Sequence, residues 1–239
     1  MHITGLIRHA AAAAVAGLWL ALARAQAPAG GLALPASFVG ILPCADCAGI
    51  AQTLSLREDG LYRMRRSYLG KPGNPVSEIG HWRIDADGRL LLRRDSNINL
   101  FAIAGADTLR QLDHAGRPIR STLNYSLRRT ASFDAADESL RWRGEMIYMA
   151  DAATFTDCAS GVRWPVAMTE DYLALERAYT KGRAAPGAPL LVAFDGRLAV
   201  MPGIEGPPRE HMVVERFVTT DPGPRCHPPE GPQATLKKR

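Results

Sequence analysis

Between Ser37 and Thr130 apolar residues recur at every second position, and short polar turns interrupt them at regular intervals. Leu54 and Leu56 alternate with Thr53 and Ser55, and Leu61 to Ser67 and Glu78 to Asp85 follow the same rule. A period of two sends successive side chains to opposite faces of a strand, so each run offers one face to a core. The breaks fall at Asp59-Gly60, Asp87-Gly88, Gly105-Ala106-Asp107 and His114-Ala115-Gly116. Asp-Gly between alternating runs is a hairpin signal, because a two-residue hairpin turn needs φ > 0 at both central residues. The pattern predicts eight short antiparallel strands near 37–42, 51–57, 61–68, 77–85, 89–94, 99–104, 108–112 and 123–129. Consecutive hairpins close most economically into an up-and-down barrel, which removes exposed edges. Eight strands leave room for at most one small ligand. Gly70 to Val76, rich in Gly and Pro, is the longest loop at one rim.

Residues 131–139 are polar, alanine-rich and free of alternation, and they read as a linker. A second unit follows over 140–228. Leu140 to Met149 reads as a strand, and a turn at Asp157 to Gly161 leads into another over Val162 to Val166. Thr169 is placed to cap a helix over Glu170 to Lys181, with Leu173, Ala174 and Ala178 as its stripe and Gly182 as its stop. Leu190 to Phe194, Asp195-Gly196 and Arg197 to Val200 read as a hairpin, and Met212 to Phe217 as the last strand. Five strands with a helix inserted midway is the element order of an OB-fold. The expected fold class is therefore all-β dominated. A lipocalin-like eight-stranded antiparallel barrel over 34–130 precedes an OB-fold-like barrel with one helix.

The amino terminus sets the compartment. Arg8 and His9 precede an unbroken apolar stretch from Ala10 to Ala23, and small residues follow at Ala23, Ala25 and Ala27. Residues 1–25 read as a signal peptide cleaved near Ala25. The apolar stretch is shorter than the roughly 20 residues a membrane span needs. The expected product is periplasmic, in an oxidising space where disulfides persist. No cysteine lies near the cleavage region to accept a lipid, which argues against membrane tethering.

Residues 1–25 carry two Arg and no acid, so their removal lowers the net charge from +5 to +3. The basic clusters Arg63/Arg65/Arg66, Arg93/Arg94 and Arg128/Arg129 read as solvated strand faces without an aromatic platform. No nucleic-acid partner is expected. Residues 229–239, ending in Lys237-Lys238-Arg239, read as a disordered basic tail.

The 4 cysteines form two pairs of unlike spacing. Cys44 and Cys47 sit in Leu42-Pro43-Cys44-Ala45-Asp46-Cys47-Ala48-Gly49, in a strand-to-strand connection rather than at the helix start of a βαβ redox unit. The resting pair is expected to close a tight loop as a disulfide. Structural zinc takes four ligands, whereas Cu(I) prefers thiolates and is satisfied by few. Cys44 and Cys47 are thus candidate metal ligands when reduced, with Met64, His81 and His114 as residues that would complete such a site. Asp46 reads as a turn residue, a ligand or a base. Cys158 and Cys226 suit a structural staple holding a Pro-rich tail to the second unit. No Gly-x-Ser-x-Gly, His-Glu-x-x-His or phosphate-binding Gly-rich loop is present, and no enzyme is expected.

The stretch Leu42 to Ile50, with the Asp59-Gly60 hairpin and Tyr68-Leu69-Gly70, resembles the N-terminal domain of the NlpE copper-resistance and envelope-stress family. Tyr148 to Gly161, containing Thr156-Asp157-Cys158-Ala159-Ser160-Gly161, is similar to that family's second domain, and Leu175-Glu176-Arg177-Ala178-Tyr179 to the helix after it. The resemblance covers about Leu34 to Cys226. It implies a lipocalin-like barrel and an OB-fold, each with one disulfide. It implies an envelope sensor linked to copper tolerance and surface sensing, partnered by a Cpx-type sensor kinase or other envelope proteins. Best-known members carry a lipidated cysteine at the cleavage site, and this sequence has none there. A lipocalin-like carrier of a small apolar ligand is the alternative reading of the first barrel.

Overall fold

Asp59-Gly60 and Asp87-Gly88 do turn the chain, but with φ > 0 at the glycine alone, +81° at Gly60 and +74° at Gly88. Gly60 N–H donates to Arg57 O at 3.4 Å while Arg57 N–H donates to Leu61 O at 2.9 Å, and Asp85 to Arg89 repeats the arrangement. A four-residue turn relaxed by a left-handed glycine replaces the tighter two-residue form. The Asp side chain explains part of the choice: Asp59 Oδ1 accepts from Leu61 N–H, and Asp85 Oδ1 accepts from Asp87 and Arg89 N–H.

A computed structural model describes residues 31–135, 137–202, 206–220 and 226. The signal peptide read over 1–25 and the basic tail read over 229–239 lie outside the described residues. The strands β1 (Ala36–Leu42), β2 (Gly49–Leu56), β3 (Leu61–Leu69), β4 (Val76–Ile84), β5 (Leu90–Arg94), β6 (Asn97–Ile103), β7 (Thr108–Gln111) and β8 (Ser126–Arg129) pair antiparallel in chain order. Phe38 against Arg129 and Val39 against Arg128 close β8 onto β1. The barrel interior is packed with Phe38, Leu54, Leu56, Tyr62, Leu92 and Phe101, among others, and Leu32 ahead of β1 is fully buried in the same cluster. Each such side chain contributes roughly 1.5–3 kcal/mol of transfer free energy.

The second unit is a five-stranded sheet in the order β11-β10-β9-β12-β13. Its elements are β9 (Leu140–Met149), β10 (Ala152–Asp157), β11 (Arg163–Pro165), α1 (Tyr172–Gly182), β12 (Leu190–Met201) and β13 (Arg209–Thr220). The helix lies between the third and fourth strands, and a parallel bridge from Val166 to Met212 brings the β11 end back to β13. Trp142, Phe155, Trp164 and Phe194 form an edge-to-face cluster at its centre.

Three local expectations are corrected. Asp195-Gly196 is not a turn: β12 runs through it as one 12-residue strand, with a register shift between the two residues. Asp195 is held by Arg141 of β9 and Arg216 of β13, its two neighbouring strands, and a Cβ on Gly196 would meet Val213 O at 2.2 Å. The glycine therefore serves a close backbone approach at a bulge. The helix begins after Asp171 rather than Thr169, and the Asp171 carboxylate is spent on the β13 backbone, accepting from Phe217 N–H at 2.7 Å. Its buried stripe is Tyr172, Leu175 and Tyr179, while Leu173 is 60% exposed.

The two units share a packed boundary. Leu61 and Ile79 of the barrel belong to the same core cluster as Trp142 and Trp164. His81 Nε2 lies 2.7 Å from Ser160 O. The linker lies along the barrel wall, where Asp134 N–H donates to Ser37 Oγ at 2.8 Å and Asp134 and Glu138 pair with Arg65. The cluster Arg63/Arg65/Arg66 is thus not the solvated face expected: Arg63 is only 3% exposed, and Arg66 turns into the barrel, whereas Arg128 is exposed as expected.

Candidate functional site

β1 and β2 are held together by seven paired residues, Ala36–Leu56 to Leu42–Ile50, and the connection between them carries Cys44 and Cys47. The sulfurs are bonded, with Cα atoms 5.3 Å apart and a sequence separation of 3. Both cysteines are half-buried, so the bond borders solvent. Pro43 stops the ladder on one side. On the other, Gly49 at φ +151° lets the chain re-enter β2 beside Ile41, whose Cγ2 a Cβ would meet at 2.7 Å. Ala48 N–H donates to Leu69 O at 3.1 Å, tying the loop to the end of β3.

Asp46 is the charged group of this loop. Its Oδ1 lies 3.5 Å from Cys44 Sγ, and its other oxygen pairs with Lys71 of the β3–β4 loop. The Lys71 ammonium, by hydrogen bond and by charge, holds the Asp46 carboxyl below the usual carboxylate range. The ligand atoms of Cys44, Asp46 and Cys47 lie within 4.8 Å of one another. As a disulfide the sulfurs cannot act as thiolates, so this donor set suits a soft cation only after two-electron reduction. The histidines and methionine expected to complete the set are elsewhere. Met64 is buried in the barrel interior, His81 faces Ser160 of the second unit, and His114 lies in the Asp113–Gly116 turn. Lys71 was not legible as a partner, because 25 positions separate it from Asp46 and it is the register of β2 against β3 that brings the two loops together.

Leu69, paired with Gly49, and Leu61, paired with His81, mark opposite ends of β3. The Cys44–Cys47 loop therefore sits a full strand away from the boundary with the second unit, about 25–30 Å at 3.4 Å per residue. Cys158 and Cys226 are bonded across 68 positions, with Cα atoms 5.0 Å apart. Cys158 N–H donates to Arg143 O at 3.0 Å, and the turn that holds it reaches the barrel two residues later at Ser160. One disulfide thus lies at the free rim and the other beside the docked face.

The model of the NlpE N-terminal domain matches residues 38–122, and that of the NlpE C-terminal OB domain matches residues 136–227. Lipoprotein NlpE of Escherichia coli strain K12 is 40% identical over 174 residues, spanning 70% of each chain. This chain belongs to the NlpE family. The crystal structure of the Cpx pathway activator NlpE from Escherichia coli is 34% identical, with 81% of this chain and 98% of that one covered and a TM-score of 0.36. A solved protein of Shewanella oneidensis is 31% identical, covering 42% of this chain and 93% of its own at a TM-score of 0.38. The OB assignment of the second domain agrees with the strand–helix order β9-β10-β11-α1-β12-β13.

Proposed function

We propose that this NlpE-family protein is an exported envelope sensor whose Cys44–Cys47 pair passes between disulfide and dithiol and holds Cu(I) when reduced. The observation that carries the reading is the position of the pair. Its bond borders solvent in a rim loop, beside an Asp46 kept ionised by Lys71, while the eight strands close without it. Opening such a bond alters one loop and leaves the barrel standing. Reduced, Cys44 and Cys47 supply two soft thiolates, and a monovalent copper ion would clamp the loop in place of the disulfide. Only thiolates ligate, so binding of the cation is coupled to deprotonation of the two thiols. The output is contact rather than turnover: the altered rim is read by a Cpx-type sensor kinase or another envelope protein. The naming of the Escherichia coli relative as a Cpx pathway activator supports this choice of partner. The test is anaerobic titration of reduced protein with Cu(I) against a chromophoric chelator. One equivalent held by the parent and lost from Cys44→Ser/Cys47→Ser supports the reading; equal retention by both sinks it.

A further inference from the structure

Arg57 of the β2–β3 turn pairs with Glu210 of β13 across the domain junction, and a cavity opens on each side of that pair. The first holds about 510 Å³. Glu58 and Asp59 of the same turn, Phe133 and Asp137 of the linker and Val200 of β12 line it. The second holds about 550 Å³ and runs to Arg163 and Trp164 of β11 and to Pro208 and Arg209 where β13 begins. Arg57, Val200 and Glu210 line both, so the two are halves of one groove. Each half lies within the range of about 300–1,000 Å³ that ligand sites occupy.

Phe133 and Val200 come from parts of the chain far apart in sequence, and both are exposed, by 39% and 70%. Single exposed apolar side chains are ordinary, but two that converge on one concavity make a surface that a partner can cover. The charges are sorted as well. Apart from the shared Arg57 and Glu210, the first half is lined by Glu58, Asp59 and Asp137 and no cation, the second by Arg163 and Arg209 and no acid. Some of these are already answered: Asp59 by Arg57, Asp137 by Arg63 at 3.6 Å, and Arg163 by the Thr156 hydroxyl at 3.1 Å. The Glu58 carboxylate and the Arg209 guanidinium have no hydrogen-bond or ion-pair partner among the described residues. An unanswered anion thus stands in one half of the groove and an unanswered cation in the other.

We propose that the groove across the domain junction binds an extended peptide segment of another polypeptide. A basic residue of that segment meets Glu58, an acidic residue meets Arg209, and the apolar residues between them lie against Phe133 and Val200. An extended chain has the reach this needs, advancing about 3.1–3.4 Å per residue, so charges a few residues apart meet both halves at once. A groove walled by Phe133, Trp164, Pro35 and Pro208 suits proline-bearing segments, whose extended form is already low in entropy. Because both domains build the groove, its occupant also bridges them. The site does not depend on the state of Cys44 and Cys47.

The test is calorimetric titration of the full, oxidised protein with acetyl-Lys-Pro-Val-Glu-amide and the longer acetyl-Lys-Pro-Val-Pro-Val-Glu-amide. Counterparts with Gln at both charged positions serve as neutral controls. The charged peptide of matching length should bind one-to-one, roughly tenfold tighter than its neutral counterpart, as two partly exposed ion pairs allow. Glu58→Gln and Arg209→Gln should each weaken it roughly threefold, with unchanged near-UV circular dichroism because neither side chain holds another. Val200→Ala should weaken charged and neutral peptides alike, and Arg128→Gln on the outer barrel wall should change neither. Neutral peptides binding as tightly as charged ones would overturn the proposal. So would indifference to both Glu58→Gln and Arg209→Gln, or the absence of saturable heat with either charged peptide.

Discussion

Arg57 in the β2–β3 turn and Glu210 in β13 join the two domains by a two-point ion pair, Nη1 to Oε1 at 2.5 Å and Nη2 to Oε2 at 3.1 Å. Burial works against the Arg57 charge, but the hydrogen bonds it donates to Glu210 and Asp59 outweigh that and hold it above the usual arginine value. Trp164 Nε1–H also donates to Glu210 at 3.4 Å. The barrel and the OB domain thus meet through charge at the edge and through Leu61 and Ile79 inside.

Removing that pair should loosen the docking more than either domain. Glu210→Gln is expected to cost about 1–2 kcal/mol, as a partly buried charge pair does. A double-mutant cycle with Arg57→Gln in urea, read by tryptophan fluorescence, should show coupling near the same size. Strict additivity would mean that the pair carries no docking energy.

The two disulfides should differ in their effect on stability. By loop entropy, a bridge closing 68 positions stabilises by about 4 kcal/mol and one closing three by about 2 kcal/mol. Cys158→Ser/Cys226→Ser should therefore lower the melting temperature by several degrees more than Cys44→Ser/Cys47→Ser. Scanning calorimetry of both variants decides the order, and equal shifts would contradict it.

Gly80→Ala should destabilise the barrel by about 1–3 kcal/mol, the usual range for overpacking. Its Cβ would stand 2.4 Å from Arg93 O as well as against the Tyr62 ring. Backbone on one side and a packed ring on the other leave no cheap relaxation. Denaturant unfolding measures the loss; a change under about 0.5 kcal/mol, the scale of a neutral surface substitution, would show that the strands can part there.

Asp157 gives the fold a pH dependence. Burial pushes its carboxyl above the usual range, against the hydrogen bonds it accepts from Ser160 Oγ and N–H at 2.8 and 2.9 Å. With the folded pKa raised, its contribution is greatest below the unfolded value, about 3.9, and is lost as pH rises through the folded value. Asp157→Asn keeps an acceptor for both Ser160 bonds and cannot ionise. The parent's stability relative to this variant should fall as pH climbs above about 4. Parallel stability curves across the acidic to neutral range would refute the assignment.

Much of the barrel was readable in the chain itself. Asp59-Gly60 and Asp87-Gly88 mark real turns because a left-handed glycine and an Asp that bonds its own backbone act within a few residues. The same dipeptide at Asp195-Gly196 means something else, since Arg141 and Arg216 reach it from strands far along the sequence. The inward turn of Arg66 had a visible trace: it shares parity with the buried Tyr62 and Met64. Read as one cluster, Arg63, Arg65 and Arg66 hid that trace. Arg63 lies at the domain boundary, Arg65 pairs with the linker, and Arg66 points inward.

Sequence by itself determined where the strands run, which loop carries Cys44 and Cys47, and that the chain resembles the NlpE family. Those features rest on alternation, turn chemistry and motif, all of which act over a few residues. Only the tertiary structure decided that Lys71 holds Asp46, that Arg57 meets Glu210, and that Arg66 and Glu78 face each other inside the barrel. The first and last depend on the pairing of β3 with its two neighbours and the second on docking, each of which brings separated charges to hydrogen-bond distance and sets how much water surrounds them.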